Sequence, residues 1–261
     1  MMETMDDYVA TAHALADAAG AIARDAWFGA AETTFKADGS ALTSADTDIE
    51  ARLRATVRAR HPDHGILGEE FGAVAGSGAF TWVIDPIDGT RQFGARLMNW
   101  GVLIALCRDG EPVLGVVDQP LALARYLGVE GRGATLNGRP IRVSGREDLS
   151  SASIALANPL SFGPAERGVF DRLAGAVAMA SFDGGCLAYG ALARGRVDLV
   201  SNGPDLEPFD ICALVPIVRE AGGVLTAWDG RAPDLSYAGP IVAAASAALH
   251  REALALIGAE R

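Results

Sequence analysis

The chain has 261 residues, of which 50% are hydrophobic and 21% are charged. It is therefore long enough to bury a core, and its composition excludes an intrinsically disordered protein. Asp and Glu number 33 against 22 Lys and Arg, a formal net charge of −11, which argues against binding to nucleic acids or anionic membranes because both require clustered cations.

Two helices are predicted near the start of the chain. Apolar residues recur at helical spacing over 6–28 and again over 44–60. The segment 29–42 between them is predicted to be a loop, since it contains the turn signal Asp38-Gly39-Ser40.

After residue 60 the hydrophobic pattern changes to one typical of strands. Five strands are predicted in the rest of the first half: 80–85, 100–106, 113–117, 134–136 and 141–143. The segments Arg108-Asp109-Gly110-Glu111 and Asn137-Gly138 are hairpin signals, the first between strands two and three and the other between strands four and five. The first half is therefore predicted to be two helices followed by an antiparallel sheet.

The second half alternates between strands and helices, which is typical of a layered α/β unit. The predicted strands are 154–157, 196–201, 223–227 and 240–244. The predicted helices are 165–180, 186–194, 209–221 and 246–259. We place the boundary between an N-terminal α+β half, 1–148, and a C-terminal α/β half, 149–261, and expect both to form one compact unit.

Cysteine and histidine are scarce, which limits the kinds of site that the chain could build. Three cysteines without a CxxC pair predict small buried side chains rather than disulfides or a zinc site. The four histidines are not paired at ligand spacing, so metal ligands should be oxygens, which favour Mg²⁺, Mn²⁺ or Ca²⁺. We expect no signal peptide and no membrane-spanning segment, and hence a cytoplasmic protein.

The most informative segment is the strand that runs into Asp85-Pro86-Ile87-Asp88-Gly89-Thr90. Pro86 lacks an N–H and is expected to end the strand ladder, which leaves Asp85 and Asp88 three residues apart on a tight turn. Gly89 and Thr90 follow where a helix could begin, and the unpaired N–H groups at a helix start attract phosphate. The alternative is an ordinary acidic turn after a strand.

Four other acidic residues, in three segments, stand at similar places in the pattern. Glu69 and Glu70 come at the end of the short apolar run Gly65-Ile66-Leu67, after Gly68. Asp46 lies in the first turn of the second helix, where it could instead stabilise the helix dipole. Asp210 opens a later helix, and taken alone it would more often be a helix cap than a metal ligand.

These segments together resemble the inositol monophosphatase family of Mg²⁺-dependent phosphatases, over about Lys36 to Gly230. The two signature segments are Asp85 to Thr90 and the acid-led helix from Asp210 to Gly223. Within the family the chain looks most like the histidinol-phosphate phosphatase branch, on four supporting segments: 36–40, 68–72, 116–120 and 213–218. The resemblance implies an αβαβα sandwich, a homodimer and a small phosphate monoester as substrate.

The resemblance also implies the metal ligands. Glu69, Asp85 and the backbone carbonyl of Ile87 would bind one Mg²⁺, and Asp85, Asp88 and Asp210 would bind a second. A third, weaker ion would lie near Glu69, which gives two or three Mg²⁺ per site. Two such ions can activate a water and stabilise the leaving oxygen.

The remaining roles concern the water and the substrate. The resemblance implies that Asp46 holds the water network of the third ion, and that the Thr90 hydroxyl, paired with Asp46, orients the attacking water. Together with Glu69 these are the candidate catalytic residues. Gly89 and Thr90 would bind the phosphate through backbone N–H groups. The rest of the substrate would be contacted by Asp183, Gly184 and Gly185.

The sequence departs from the histidinol-phosphate branch at the substrate positions. That branch is expected to have an acid directly before the cysteine, but Gly185 precedes Cys186 here. A cationic amino-alcohol would need a carboxylate, and Asp183, Asp205 or Glu207 could supply it. Arg91 could steer an anionic substrate or could simply be a solvated surface charge.

Several functions therefore remain open at this point. Histidinol phosphate is the leading substrate, and inositol 1-phosphate, a sugar phosphate or a 3′-phosphonucleotide are alternatives. A hypothesis of another class is a catalytically silent relative that binds a phosphorylated ligand or a protein. The clustered acids argue against it, because a silent protein would have no need for them.

Overall fold

The computed structural model describes residues 3–29, 33–35 and 41–259. These residues form eight α-helices: α1 (Met5–Phe28), α2 (Ser44–Arg60), α3 (Thr90–Gly94), α4 (Arg167–Ala176), α5 (Gly185–Ala193), α6 (Pro208–Ile211), α7 (Leu214–Glu220) and α8 (Ala247–Gly258). Within the same residues, none of the helices is both long and apolar enough to cross a bilayer.

The strands of the first half form two sheets. A short hairpin pairs β1 (Thr33–Phe35) with β2 (Ala41–Thr43). Eight strands then make one large sheet: β3 (Gly65–Gly68), β4 (Gly72–Val74), β5 (Phe80–Asp88), β6 (Gly101–Arg108), β7 (Glu111–Gln119), β8 (Ala124–Val129), β9 (Gly133–Leu136) and β10 (Arg139–Ile141). Their order across the sheet is β10-β9-β8-β7-β6-β5-β3-β4.

The second half contributes a smaller mixed sheet. Its five strands are β11 (Ser153–Leu156), β12 (Met179–Phe182), β13 (Leu199–Asn202), β14 (Val224–Ala227) and β15 (Ile241–Ala244). They lie in the order β12-β11-β13-β15-β14. The division of the chain at residues 148 and 149 stays a prediction, although each of the two larger sheets is drawn from one side of it.

Two helices cover one face of the large sheet. α1 begins at a capping box, in which the Thr4 backbone N–H donates to the Asp7 carboxylate at 2.9 Å. Half of its buried residues are alanine and one more is glycine, so the helix backbone can approach its neighbours closely. Together with Ile49, Leu53 and Val57 of α2, that face packs on alternate residues of the sheet, including Trp82, Ile84, Val102, Ile104 and Val116.

The opposite face of the large sheet packs on a central helical layer. α5, α6 and α7 fill the space between the two sheets, with Tyr189, Ile211 and Ile217 in one continuous apolar core. The outer face of the small sheet is covered by α4 and α8, through side chains that include Phe170, Leu173 and Leu249. The layers thus alternate α, β, α, β, α, and the predicted sandwich is confirmed.

Both predicted hairpins are present. Arg108 pairs with Glu111 across Asp109 and Gly110, whose φ angles are 52° and 88°. Asn137 and Gly138 adopt φ angles of 51° and 75°, which a two-residue turn of this kind requires. The strand after the second turn was placed wrongly at 141–143, because pairing begins directly after the turn, at Arg139.

Several other predictions need correction. The first-half sheet is not wholly antiparallel, since β3 runs parallel to β5, and three of its strands, β3, β4 and β8, were missed. Residues 29–42 are not only a loop, because β1 and β2 pair within them. The turn signal Asp38-Gly39-Ser40 and Lys36 lie outside the described residues. The helix predicted over 165–180 ends at Ala176, and Met179–Phe182 joins the edge of the small sheet instead.

The helix predicted over 209–221 is divided into α6 and α7. The break falls at Cys212 and Ala213, between the two helices. Pro216 explains it, because a proline has no N–H to donate to the carbonyl four residues earlier and its ring clashes with that carbonyl, here of Cys212. α7 can therefore follow the sheet in a different direction from α6, which carries Asp210.

Two glycines of the large sheet allow the backbone of α7 to pack directly against the strands. Gly115 of β7 and Gly128 of β8 are directly opposite each other in the ladder. A Cβ at Gly115 would lie 2.0 Å from the Ala213 carbonyl oxygen, and one at Gly128 would lie 2.5 Å from the Ile217 nitrogen. Both contacts are with helix backbone, which cannot rotate away as a side chain can. The helix backbone therefore rests directly on the strands.

We expect Gly115→Ala to destabilise the fold by about 1–3 kcal/mol, as overpacking does in well-packed cores. The matched control is Gly175→Ala in α4, where a Cβ would meet nothing within 4 Å. That change should be neutral or stabilising by about 0.5–1 kcal/mol, because alanine restricts the unfolded chain more than glycine. Urea unfolding of both variants measures the difference, and equal midpoints would contradict this account of the glycine pair.

Candidate active site

A bulge in β5 brings Asp85 and Asp88 to the same face of the sheet. Asp85 is opposite Leu103 of β6, but Asp88 is opposite Gly101, so β5 contains one residue more than its partner. In a regular strand, side chains three apart point to opposite faces, and the extra residue reverses this. The expectation that Pro86 ends the ladder is corrected here, because pairing resumes at Asp88.

Asp210 joins these two residues from the central helical layer. Ligand oxygens of Asp85, Asp88 and Asp210 all lie within 4.8 Å of one another. Each carboxylate is oriented by one backbone N–H: that of Ile87 donates to Asp85 at 3.0 Å, that of Cys186 to Asp88 at 2.8 Å, and that of Glu207 to Asp210 at 2.7 Å. The last contact belongs to a capping box at the start of α6.

Burial and mutual repulsion disfavour the charged forms of these acids. Burial raises the pKa of Asp85 well above its ordinary value, and the negative charges of Glu69, Asp210 and Asp88 raise it further. The pKa of Asp210 is raised well above its ordinary value by the same two causes, in the same order. Within the described residues no arginine forms an ion pair with Asp85, Asp88 or Asp210.

Asp46 lies behind this cluster at the start of α2 and is fully buried (0% exposed). Its Oδ2 accepts hydrogen bonds from the Thr43 backbone N–H at 2.7 Å and from the Thr43 hydroxyl at 2.5 Å. The Thr90 hydroxyl lies 3.2 Å from Asp46 Oδ1 and 3.0 Å from the carbonyl oxygen of Ile87. Burial is the largest cause of the raised pKa of Asp46. Asp46 thus both caps its helix and reaches Thr90.

A cavity of about 220 Å³ opens in front of these groups. It brings together most of the residues singled out in the sequence: Glu69, Asp85, Ile87, Asp88, Gly89, Thr90, Arg91, Asp183, Gly185, Asp205 and Asp210. Gly184 and Glu207 do not line it: Gly184 precedes α5 as its cap residue, and Glu207 caps α6. Gly89 adopts a φ of 88° and begins α3, whose first N–H groups have no partner within the helix.

The cavity also contains polar residues that sequence reasoning missed. Gln92 Nε2 donates to both carboxylate oxygens of Asp183, at 3.1 and 3.0 Å, and Asn99 Nδ2 donates to the Asp183 carbonyl at 2.7 Å. These bonds hold Asp183 at a φ of 60°, which is uncommon for a residue other than glycine. Gln92 follows Thr90 by two residues on α3, and that proximity is the one signal that could have pointed to it.

A second cluster, Glu3, His61 and His64, was not expected from the sequence, but it is satisfied internally. Glu3 accepts from His61 Nδ1 at 2.8 Å and from His64 Nε2 at 3.2 Å. Trp82 Nε1 donates to His64 Nδ1 at 3.2 Å, so the proton of a neutral His64 lies on Nε2. A metal would need the lone pair of that nitrogen. We therefore regard this cluster as a set of hydrogen bonds that joins the start of α1 to the end of α2.

The donor set of the first cluster fits hard divalent cations. Carboxylate and carbonyl oxygens are the ligands that Mg²⁺ and Mn²⁺ prefer. The pKa values of all three acids are raised, and each carboxylate accepts only one backbone hydrogen bond that orients it. Their ionised forms are therefore unfavourable unless positive charge is bound beside them. The cavity is therefore suited to metal ions and to an anionic ligand bound through them.

The sequence matches the profile of the inositol monophosphatase family over residues 4–260. The chain belongs to this family. A histidinol-phosphatase from Mycobacterium tuberculosis is 38% identical to it over 97% of this chain and 98% of that protein. An inositol-1-monophosphatase from Rhizobium meliloti is 35% identical over 81% of this chain and 80% of that protein.

A solved structure confirms the fold that the family implies. An inositol monophosphatase from Zymomonas mobilis superposes with a TM-score of 0.89 at 34% identity, over 99% of this chain and 100% of that one. Members of the inositol monophosphatase family are metal-dependent phosphatases that act on small phosphate monoesters. The chain is therefore a phosphatase of this family, and its acidic cluster is able to hold the metal.

Mg²⁺ is expected to raise the melting temperature of the protein. A ligand that binds only the native state stabilises it by about 2.7 kcal/mol at a concentration 100 times its Kd. For a protein of this size that corresponds to a rise of roughly 5–10 °C. Calorimetry with and without millimolar Mg²⁺ measures the rise, and an unchanged melting temperature would contradict the metal assignment.

Asp85→Asn should abolish that rise and, in metal-free protein, raise the melting temperature. The native carboxyl has a raised pKa, so the stability linked to its protonation is present at low pH and is lost as pH rises through the native pKa. The advantage of the variant should therefore grow as pH increases from about 4. Asp48→Asn, the same chemical change at an exposed position of α2, is the control and should leave both quantities unchanged.

Proposed function

We propose that the protein hydrolyses histidinol phosphate to histidinol and phosphate. The observation that carries this proposal is the charge of the cavity outside the acid cluster. Two more carboxylates, those of Asp183 and Asp205, line the wall, and Arg91 is the one cationic side chain among the described residues that does so. A substrate with a cationic amino group would find two carboxylates there, whereas an anionic one would find only the guanidinium of Arg91 among the described residues and would be repelled by both carboxylates.

In the proposed mechanism the protein groups hold metal, water and phosphate in fixed positions. Glu69, Asp85 and the Ile87 carbonyl would hold one Mg²⁺, and Asp85, Asp88 and Asp210 a second, with a third, weaker ion near Glu69. The bound ions would supply positive charge that lowers the pKa of a water and offsets the charge of the phosphate.

The remaining steps belong to the protein itself. With the Ile87 carbonyl occupied by metal, the Thr90 hydroxyl would direct its proton toward Asp46 and present its lone pairs to the attacking water, which it would orient by accepting a hydrogen bond. The backbone N–H groups of Gly89 and Thr90 would bind phosphate oxygens at the start of α3. A buried, fixed acceptor such as Asp46 keeps that orientation from varying between turnovers.

Inositol 1-phosphate is the second candidate substrate. The position directly before Cys186 is Gly185 rather than an acid, and a Cβ at Gly185 would lie only 3.0 Å from an Asp88 oxygen. A neutral polyol would not need a carboxylate there. A sugar phosphate or a 3′-phosphonucleotide would be next, and a silent phosphate-binding relative would release no phosphate from any ester.

We also propose that the protein acts in the cytoplasm as a homodimer. The resemblance supports the dimer. The free and buried state of Cys107, Cys186 and Cys212 is compatible with a reducing compartment.

Phosphate release from a panel of esters tests the function directly. With Mg²⁺ we expect the highest kcat/KM for histidinol phosphate, and without Mg²⁺ or in Asp85→Asn a loss of at least three orders of magnitude. Preference for inositol 1-phosphate or a nucleotide would overturn the substrate assignment. Equal activity in Asp85→Asn would overturn the mechanism.

Asp183→Asn tests the substrate contact separately from the chemistry. Loss of a contact between a charged carboxylate and an ammonium group costs about 1.5–3 kcal/mol, so kcat/KM for histidinol phosphate should fall roughly 10–100-fold. The value for inositol 1-phosphate should change little, because that substrate has no cation. Arg91→Gln is the control at the same rim, and it should not weaken the cationic substrate selectively.

A further inference from the structure

A buried carboxylate on α2, that of Glu50, contacts the turn that carries Glu69. Glu50 is fully buried (0% exposed) and lies one helical turn beyond Asp46. Its Oε2 accepts from the Glu70 backbone N–H at 2.7 Å, and its Oε1 accepts from that of Phe71 at 3.1 Å. The carboxylate thus binds the backbone immediately after Glu69.

Arg54 completes this arrangement from the next turn of α2. Its Nε donates to Glu50 Oε1 at 2.7 Å, and its Nη2 donates to the carbonyl oxygen of Gly72. The guanidinium also lies 5.8 Å from the centroid of the Phe71 ring. The Glu50 carboxylate therefore accepts hydrogen bonds from residues 70 and 71, and the Arg54 guanidinium donates one to residue 72. Together they hold three consecutive residues of the turn.

The residue before Glu69 leaves room for the same carboxylate. A Cβ at Gly68 would lie 2.1 Å from Glu50 Oε1 and 2.4 Å from its carboxyl carbon. The Glu69 backbone N–H itself donates to the carbonyl of Ile84, at 3.2 Å, directly before Asp85 on β5. Glu69 is thus fixed to the large sheet on one side and to α2 on the other.

A buried ion pair is a weak means of stabilising a fold, because desolvation of both charges offsets most of their attraction. What it does provide is a defined geometry, since each charged group must satisfy several hydrogen bonds at once. The turn that it holds follows a short strand, and Phe71 within that turn is exposed. Without Glu50, the β3–β4 turn would have fewer constraints on its path.

We propose that Glu50, fixed by Arg54, is a positioning residue for Glu69. It sets the path of the backbone on both sides of Glu69 so that the Glu69 carboxylate faces the cavity beside Asp85. α2 would then position two parts of the site at once, the Asp46–Thr90 pair and the acid from β3. This inference rests on the proposed function in one respect, the role of Glu69 as a Mg²⁺ ligand.

The test is the Mg²⁺ dependence of thermal stability in Glu50→Gln, with Mg²⁺ alone as the probe. Loss of an outer partner of a metal ligand weakens metal affinity by roughly 10–100-fold. Stabilisation grows with the logarithm of the Mg²⁺ concentration divided by Kd, so the Mg²⁺ concentration needed for a given rise in melting temperature should increase by that factor. Titration calorimetry of the metal-free variant gives the half-saturating Mg²⁺ concentration directly, without any enzyme assay.

Asp118→Asn is the matched control. Asp118, on β7, is likewise a buried carboxylate paired to an arginine, with Arg125 Nε at 2.6 Å, but its carboxylate accepts from Arg125 on β8 rather than from the turn that carries Glu69. Both variants should lower the melting temperature of metal-free protein. Only Glu50→Gln should shift the Mg²⁺ half-saturation, and the Mg²⁺ needed for half-maximal phosphate release should shift with it.

If Glu50→Gln does not fold, Arg54→Lys is used in its place, because lysine keeps the charge but cannot reach Glu50 and Gly72 with a rigid fork. Its Mg²⁺ half-saturation should also increase. A half-saturation equal to that of the wild type in the folded variant would overturn the positioning role. A wild type that shows no stabilisation by Mg²⁺ would instead overturn the metal site and this inference together, which distinguishes the two failures.

Discussion

The structure depends on one electrostatic constraint, the confinement of three carboxylates, that of the buried Asp85 and those of the half-buried Asp88 and Asp210, within 4.8 Å of one another. Asp85 and Asp88 come from the large sheet and Asp210 from the central helices, so folding itself brings the charges together. Removal from water and mutual repulsion both oppose their ionisation. A fold that keeps such a site needs rigid backbone around it, and it gains stability when cations bind.

Four helices begin beside these carboxylates, and the first residues of each helix contribute to the site. α2 supplies Asp46, α3 follows Gly89, α5 donates the Cys186 N–H to Asp88, and α6 carries Asp210 in its first turn. The N-terminal end of a helix is positive, so these starts favour both acidic side chains and a bound phosphate. The bulge in β5 and the division between α6 and α7 are the two irregularities that aim these elements at a common point.

The parts that sequence analysis predicted well are those determined by neighbouring residues. Helical periodicity and a first-turn acid located α2 at 44–60, and turn chemistry located both hairpins. The parts that it missed depend on distant residues. β12 forms a strand only because the edge of β11, which lies earlier in the chain, pairs with it. Gln92 takes part in the site only because the fold brings the Asp183 carboxylate within hydrogen-bond distance of its side chain. Glu50 has an unremarkable helical pattern, and its contact with residues 70 and 71 exists only after β3 has paired with β5.

The two groups of possible metal ligands among the described residues show why composition alone does not identify a site. Glu3 shares its charge with two histidine rings, and each ring nitrogen that faces it is a donor or can become one. Asp85, Asp88 and Asp210 have one backbone donor each and no cationic side chain among the described residues. A cluster whose charges are compensated from within is part of the fold, and one whose charges are not compensated requires a ligand. By this criterion the acids of β5 and α6 that converge at the cavity, Asp85, Asp88 and Asp210, are the ones able to hold a metal.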